Sequence, residues 1–226
     1  MSVLDQVIAG TKNIDKVHKV VVSLSGGLDS TTLLYLMVKK FGKENVAALS
    51  FDYNQRHDIE LTQAKRTTAK LGVYHKIINL GFLGDITSGV SAMVKGRIKT
   101  PTIQEVEDQK TVSTYVPFRN TILTAITFAF AESFGADGIA LGVQYGDYAM
   151  KDGNGSNIYH YWDCQEAFTD AMQAVADLND KHSITFIAPF VNLTKATEIQ
   201  LGGELGVDYG DTWTCYAGIS DRDEVK

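Results

Sequence analysis

Residues 20–36, VVVSLSGGLDSTTLLYL, read as a strand, a glycine turn and a helix in immediate succession. Three valines before the turn suit a strand packed on both faces, and apolar side chains return at helical spacing after it. Gly26 and Gly27 let the chain turn sharply, with no Cβ to block a close anion. Ser25, Asp29, Ser30, Thr31 and Thr32 set hydroxyl and carboxylate groups around the turn. The helix, predicted to open near Ser30, turns backbone N–H groups and its positive dipole end toward the same place. The stretch is a cradle for phosphate oxygens, yet it holds no lysine. A Walker A loop requires G-x-x-x-x-G-K-[ST] and a dinucleotide fingerprint requires G-x-G-x-x-G; neither is present. An aspartate at the loop suits a magnesium-bridged pyrophosphate better than a bare one. The plainer reading is a tight turn with Asp29 or Ser30 as helix cap. The full run S-G-G-x-D-S directly behind a buried strand favours the phosphate site.

Outward from this unit, short β-branched runs recur at Lys19–Leu24, Val46–Phe51, Tyr74–Leu80, Gly138–Val143 and Ile184–Ala188. Helical periodicity fills Ser30–Phe41, Asp58–Leu71, Asn120–Phe134, Cys164–Leu178 and Thr194–Leu205. Apolar strands alternating with helices predict an α/β fold: a doubly wound, parallel, five-stranded sheet with helices on both faces. Ligands of such sheets sit beyond the C-terminal strand ends, at the switch point in strand order. Residues 1–226 are expected to form one domain, with less regular segments at 81–118 and 144–162.

Bulk properties exclude several classes. A net charge of −6 supplies no overall drive toward nucleic acid, so small-molecule substrates are expected and nucleic acid is not. No charged leader with an apolar run opens the chain, and no stretch approaches the roughly 20 apolar residues of a membrane span. The helix ILTAITFAFAESFGA reads as a core helix. Two cysteines, Cys164 and Cys215, do not make a disulfide framework. A cytoplasmic protein without membrane attachment is expected. His57, His75, His160 and His182 are scattered without metal-ligand spacing.

SGGLDS resembles the signature of the PP-loop ATP pyrophosphatases, whose fold is adenine-nucleotide alpha hydrolase-like and which cleave ATP between its α- and β-phosphates. The missing lysine then has a reason: the reacting phosphorus is the α one, and the loop holds the departing pyrophosphate. Three further stretches, SFDYNQRHDIEL, TYVPFRNTIL and YHYWDCQEAF, resemble the FDYGQRH..E, VPGRN and YPDCR..F motifs of the 7-cyano-7-deazaguanine (preQ0) synthases. APFVNLTKATEI and DTWTCY are similar to that family's P-L-x-x-x-x-K-x-E and T-x-S-C-Y stretches. The likeness runs in order over roughly residues 18 to 218.

The resemblance implies an ATP-dependent ligase forming carbon–nitrogen bonds, which converts 7-carboxy-7-deazaguanine and ammonia to the nitrile through adenylated intermediates, with Mg²⁺. It assigns ATP to Leu24, Ser25, Gly26, Gly27, Leu28, Asp29, Ser30, Thr31, Thr32, Leu33 and Leu34. Catalytic roles fall to Asp29, Arg119 and Lys195. The second substrate falls to Asp52, Arg56, Arg119, Asn120, Asp147, Tyr161 and Asp163. Read alone, these residues keep plainer alternatives. Arg56 and Arg119 carry the fork that grips carboxylate or phosphate, or they form surface ion pairs. Asn120 and Asp163 are substrate contacts or helix caps, and Lys195 balances charge at phosphate or sits solvated. Rival activities are a PP-loop enzyme joining the activated deazaguanine to another amine, a tRNA-thiolating enzyme using Cys164 and Cys215, and a nucleotide-binding module without turnover. A homodimer is a mild expectation of the family.

The chain departs from the pattern at Gln165, where the motif has arginine, and at Phe118, where it has glycine. The loop from Asp147 to Tyr161 looks longer than its counterpart. The family's C-terminal C-G-x-C-x-x-C is missing, so Cys215 alone matches the structural zinc site the resemblance implies. A closed zinc site needs four ligands, and YAGISDRDEVK after Cys215 holds neither cysteine nor histidine. Zinc is therefore predicted absent, with Trp213 and Tyr216 holding the C-terminal region by packing. Elemental analysis of the purified chain is expected to find no stoichiometric zinc; about one zinc per chain, retained against chelator, would show otherwise.

Overall fold

The computed structural model describes residues 1–53, 59–87, 116–144, 150–151, 157–158 and 161–213. Its centre is β1 (Val20–Ser23), flanked by β2 (Val46–Asp52) and β4 (Gly138–Ala140), with β3 (Tyr74–Asn79) and β7 (Thr185–Ile187) outermost. The order is β3-β2-β1-β4-β7 and every pairing is parallel. Two short strands, β5 (Met150–Lys151) and β6 (Asn157–Ile158), pair antiparallel apart from this sheet. The sequence expectation of a five-stranded doubly wound sheet holds.

Side chains of β1 alternate between two cores, which is why its three valines follow one another without a polar break. Val20 and Val22 join the layer containing α1 (Val3–Gly10), α2 (Leu28–Phe41), α3 (Ile59–Leu71) and α7 (Lys195–Leu205). Val21 joins the opposite layer with α4 (Gly81–Thr87), α5 (Arg119–Phe134) and α6 (Glu166–Asp177). All three valines are fully buried. Successive strands leave β1 first toward β3 and later toward β7, so the order reverses between β1 and β4. That gap is the switch point.

Several boundaries differ from the sequence reading. α2 opens at Leu28, two residues before Ser30, and its N-cap is Gly27, so neither Asp29 nor Ser30 caps it. β4 ends at Ala140 instead of Val143, although Leu141 N–H still donates to the Ile187 carbonyl at 3.0 Å. α6 begins at Glu166, preceded by a 3₁₀ turn at Trp162–Cys164. Thr194 caps α7 from outside, accepting from Thr197 N–H. Two helices were not expected. α1 carries a capping box between Ser2 and Asp5, and Glu204 of α7 accepts from the N–H groups of Val3 and Leu4 at 3.1 and 3.0 Å. α4 occupies the start of the segment expected to be irregular.

One close approach locks α2 to α7. The Tyr209 hydroxyl lies 3.1 Å from Thr32 Oγ1 and donates to the Glu198 carbonyl at 3.4 Å. A Cβ on Gly202 would stand 1.7 Å from that hydroxyl. Another positions the glycine loop after β1. Gly26 has φ +92°, and a Cβ there would lie 2.1 Å from the Glu60 carbonyl oxygen on α3. Its own carbonyl accepts from Trp213 N–H at 3.1 Å, and Trp213 is buried. Tyr216 and Cys215 lie outside the described residues.

Gly26→Ala therefore combines an unfavourable φ with a backbone clash, and is expected to cost about 2–4 kcal/mol. Gly10→Ala, which meets open space, is expected to leave stability unchanged or slightly raised. Urea denaturation of the two variants beside the parent checks the contrast; equal midpoints for all three would contradict it.

Candidate active site

The loop after β1 is built around one hydroxyl. Ser30 Oγ accepts from the N–H groups of Ser25 and Gly26 at 3.1 and 3.2 Å and lies 3.0 Å from Ser25 Oγ. Ser25 Oγ accepts in turn from Gly27 N–H at 3.2 Å. Leu24 continues the sheet, its N–H donating to the Leu49 carbonyl at 2.8 Å, while Ser50 Oγ donates to the Leu24 carbonyl at 2.6 Å. The loop is thus held open in one shape before any ligand arrives.

Within the predicted ATP segment the residues divide by burial. Leu24, Thr31, Thr32, Leu33 and Leu34 are buried, and the leucines pack in the core, so those side chains back the loop instead of facing a ligand. Ser25 is exposed, and Gly27, Leu28 and Asp29 are half-buried at the open side. The loop after β4 meets this start of α2 across the switch point. A Cβ on Gly142 would come within 3.3 Å of the Asp29 carbonyl. Glycine at 142 permits the contact.

Asp29 and Lys195, 166 positions apart, are brought together: Lys195 Nζ donates to Asp29 Oδ1. The same ammonium donates to Glu198 Oε2 at 3.0 Å, one helical turn further along α7. Lys195 is therefore not a solvated surface lysine. Burial works against its charge, but the two carboxylates outweigh that and its pKa is raised. Glu198 is fully buried and its Oε1 has no hydrogen-bond partner among the described residues. Burial, then repulsion from Asp29, lifts its pKa to about 7 against the pull of Lys195. Sequence reading passed over Glu198. The signal was its i,i+3 spacing from Lys195, which puts both on one helix face.

A second group gathers where α5 begins. Arg119 Nη1 donates to the Tyr53 hydroxyl at 3.5 Å. It lowers the pKa of Glu60 and of Asp163, in each case against a larger upward push from burial. Glu60, at the start of α3, ends near 7. Asp163 is 3% exposed and its Oδ1 has no hydrogen-bond partner among the described residues, which suits a carboxylate awaiting paired N–H donors. Neither Asp163 nor Asn120 serves as a helix cap: Gln165 and Phe118 hold those positions. Asn120 Nδ2 instead donates to the Asp163 carbonyl at 3.5 Å, tying α5 to the 3₁₀ turn. Tyr161 opens that turn, its carbonyl accepting from Cys164 N–H at 3.2 Å.

Cys164 joins the two groups. Its thiol is pushed up to about 12, mainly by burial and next by Asp163, and it also feels Arg119 and Asp29. Asp52 ends β2, half-buried at the same edge of the sheet. Arg56 and Asp147 lie outside the described residues. Among the described residues no cluster of three or more His, Cys, Asp or Glu could hold a metal. Asp29 nevertheless offers hard oxygen at the loop. That fits Mg²⁺ held through one carboxylate and the phosphates of a nucleotide. No helix of the described residues is long and apolar enough to cross a membrane.

Because Glu198 holds its proton more tightly in the fold than in the unfolded chain, the folded state binds more protons between pH 4.5 and about 7. Its contribution to stability is full below that window and is lost as pH rises through it. Glu198→Gln is expected to flatten the decline in unfolding free energy between pH 5 and pH 8, with Glu60→Gln removing a further part. Parallel urea titrations at the two pH values check this; identical pH dependence in parent and Glu198→Gln would contradict it.

A model of the family described as queuosine biosynthesis protein QueC matches residues 19–224. A 7-cyano-7-deazaguanine synthase from Legionella pneumophila is 43% identical over 205 residues, spanning 88% of this chain and 82% of that protein. One from Clostridium kluyveri is 40% identical over 206 residues, spanning 88% and 84%. Solved structures share the fold at low identity. An NMN synthetase from Francisella tularensis aligns with a TM-score of 0.51 at 17% identity, over 98% of this chain and 77% of its own. A U34-tRNA thiolase from Methanococcus maripaludis aligns at 0.53 and 16%, over 98% and 69%. A lysine-free S-G-G-x-D-S loop at the switch point, with motifs in matching order behind it, has its explanation in descent: the chain belongs to the QueC family of queuosine biosynthesis proteins.

Proposed function

We propose that the chain is an ATP-dependent ligase that turns 7-carboxy-7-deazaguanine and ammonia into 7-cyano-7-deazaguanine. The observation that carries this reading is the Asp29–Lys195 pair at the mouth of a phosphate loop that has no lysine of its own. A cation placed by a distant helix serves charge developing at the α-phosphate, where a Walker lysine would serve the γ-phosphate. The names of the relatives supply the substrate class.

A carboxylate is a poor electrophile because oxide would have to leave. Its oxygen attacks the α-phosphorus of ATP, pyrophosphate departs, and the acyl adenylate forms. Ammonia adds to the carbonyl carbon and AMP leaves, giving the amide and releasing a proton. The amide oxygen attacks the α-phosphorus of a second ATP, pyrophosphate departs again, and loss of AMP with both amide protons leaves the nitrile. In this scheme the Ser25–Gly27 turn and the first turn of α2 hold the leaving pyrophosphate, while Lys195 balances charge at the α-phosphate. Arg119 receives the carboxylate, and Asp163 accepts from the N–H edge of the bicyclic base. Asp29 would hold Mg²⁺, which when bound screens the repulsion between phosphates. The Cys164 thiol, pushed up to about 12, is protonated at neutral pH and so a poor nucleophile, which weighs against sulfur transfer through it.

Mass spectrometry of a mixture of ATP, ammonium and the carboxylate is expected to show nitrile, AMP and pyrophosphate; ADP as the direct product would sink the mechanism. Asp29→Ala is expected to lower turnover at least about a hundredfold in a folded protein. Near-parental turnover would reduce Asp29 to a structural residue.

A further inference from the structure

Phe118 stands in a conformation that a bulky side chain avoids. Its φ is 53° and its ψ 20°, the left-handed region, directly at the N-cap of α5. N-cap residues ordinarily adopt extended backbone, and a phenylalanine gains nothing from the left-handed one. The family motif resembled here has glycine at this place, the residue that occupies it without strain. Something other than backbone comfort holds a phenylalanine there.

Its ring meets a second departure from the same motifs. Trp162 stands where YPDCR has proline, and the rings of Phe118 and Trp162 are 5.2 Å apart at 63°, edge to face. Trp162 in turn packs edge to face on Phe168, at 5.7 Å and 82°. Phe168 is 6% exposed, whereas Trp162 and Phe118 are 41% and 58% exposed. The three rings climb from the core to the surface, and the top two present aromatic area to the outside. Burial of apolar surface therefore does not account for the pair. Their chain neighbours are Arg119 and Asp163, and the Asn120–Asp163 bond clamps the two backbones side by side.

We propose that Phe118 and Trp162 form an aromatic wall on which the planar bicyclic base of the carboxylate substrate stacks. They are positioning residues. Stacking fixes the base plane, and Asp163 and Arg119 then read its N–H edge and its carboxylate. A flat π-system suits this surface because it can stack on the face of one ring while the other, inclined at 63°, meets its edge. The inference rests on the reading under Proposed function, since it concerns the second substrate of that reaction.

The experiment compares the full chain with Phe118→Gly and Trp162→Leu. Phe118→Gly relieves the backbone, so its melting temperature is expected to hold or rise. Both variants are expected to raise KM for the carboxylate about tenfold or more, with kcat and KM for ATP little changed. Equilibrium titration of the carboxylate by calorimetry, without ATP, is expected to show the same loss of affinity. Unchanged KM and affinity in both variants would overturn the wall, as would an equal weakening toward ATP. Should the parent bind the carboxylate tightly but make no nitrile, the proposed reaction fails while the titration still judges the stacking.

Discussion

A single ammonium, that of Lys195, fastens the two helices that frame the site. It reaches Asp29 on α2 and Glu198 on its own helix. Glu198 has no exposure, and a carboxylate removed from water must be paired or neutralised. Asp29 is half-exposed and could satisfy itself in solvent. The buried glutamate therefore fixes the lysine, and the lysine fixes the aspartate at the loop. From α7 the constraint spreads outward. Glu204 caps α1, and Glu198 offers its carbonyl to Tyr209, which also touches Thr32 on α2. The local geometry of the glycine loop is independent of this, since Ser30 organises it within six residues. What α7 adds is a positive charge at a defined place beside it.

The charge pattern suits a ligand that arrives with several negative charges. Glu198 and Glu60 both sit near pH 7, and Asp163 is pushed up by burial. The two glutamates can take up protons when a phosphate-rich molecule approaches, which softens the repulsion. Arg119 and Lys195 stay charged. The site adjusts its sign through the acids while keeping its cations, and the acids that adjust are the buried ones.

Much of the architecture was legible because parallel strands buried on both faces show no polar interruption. Val20–Val22 and Val46–Leu49, all buried, leave little choice of class. The turn from β1 into α2 was legible for the same reason, as it follows immediately on such a strand. α1 is readable in principle from Ser2 and Asp5, a capping pair ahead of a short apolar run. α4 was not, because GFLGDIT carries two glycines and little periodicity. Within the site, Asp29, Arg119 and Lys195 were each visible, but not that Asp29 and Lys195 touch. Glu198 was missed because a glutamate in a helix ordinarily faces water, and only the packing of α7 on α2 buries this one. Phe118 was seen as a departure, whereas its meeting with Trp162 depends on how α5 and α6 lie together. Pairings between distant helices follow from three-dimensional packing, which local pattern does not encode.

The contact between Gly202 and Tyr209 has a bearing on how such a sequence can drift. Any side chain at 202 strikes the phenol, and loss of the phenol leaves a notch beside the glycine and frees the Thr32 hydroxyl. A side chain at 202 and the phenol at 209 claim the same space, whereas a joint exchange, a small residue at 209 with alanine at 202, leaves room for both. The effects of changing the two positions are therefore expected to be non-additive, the second change offsetting part of what the first costs.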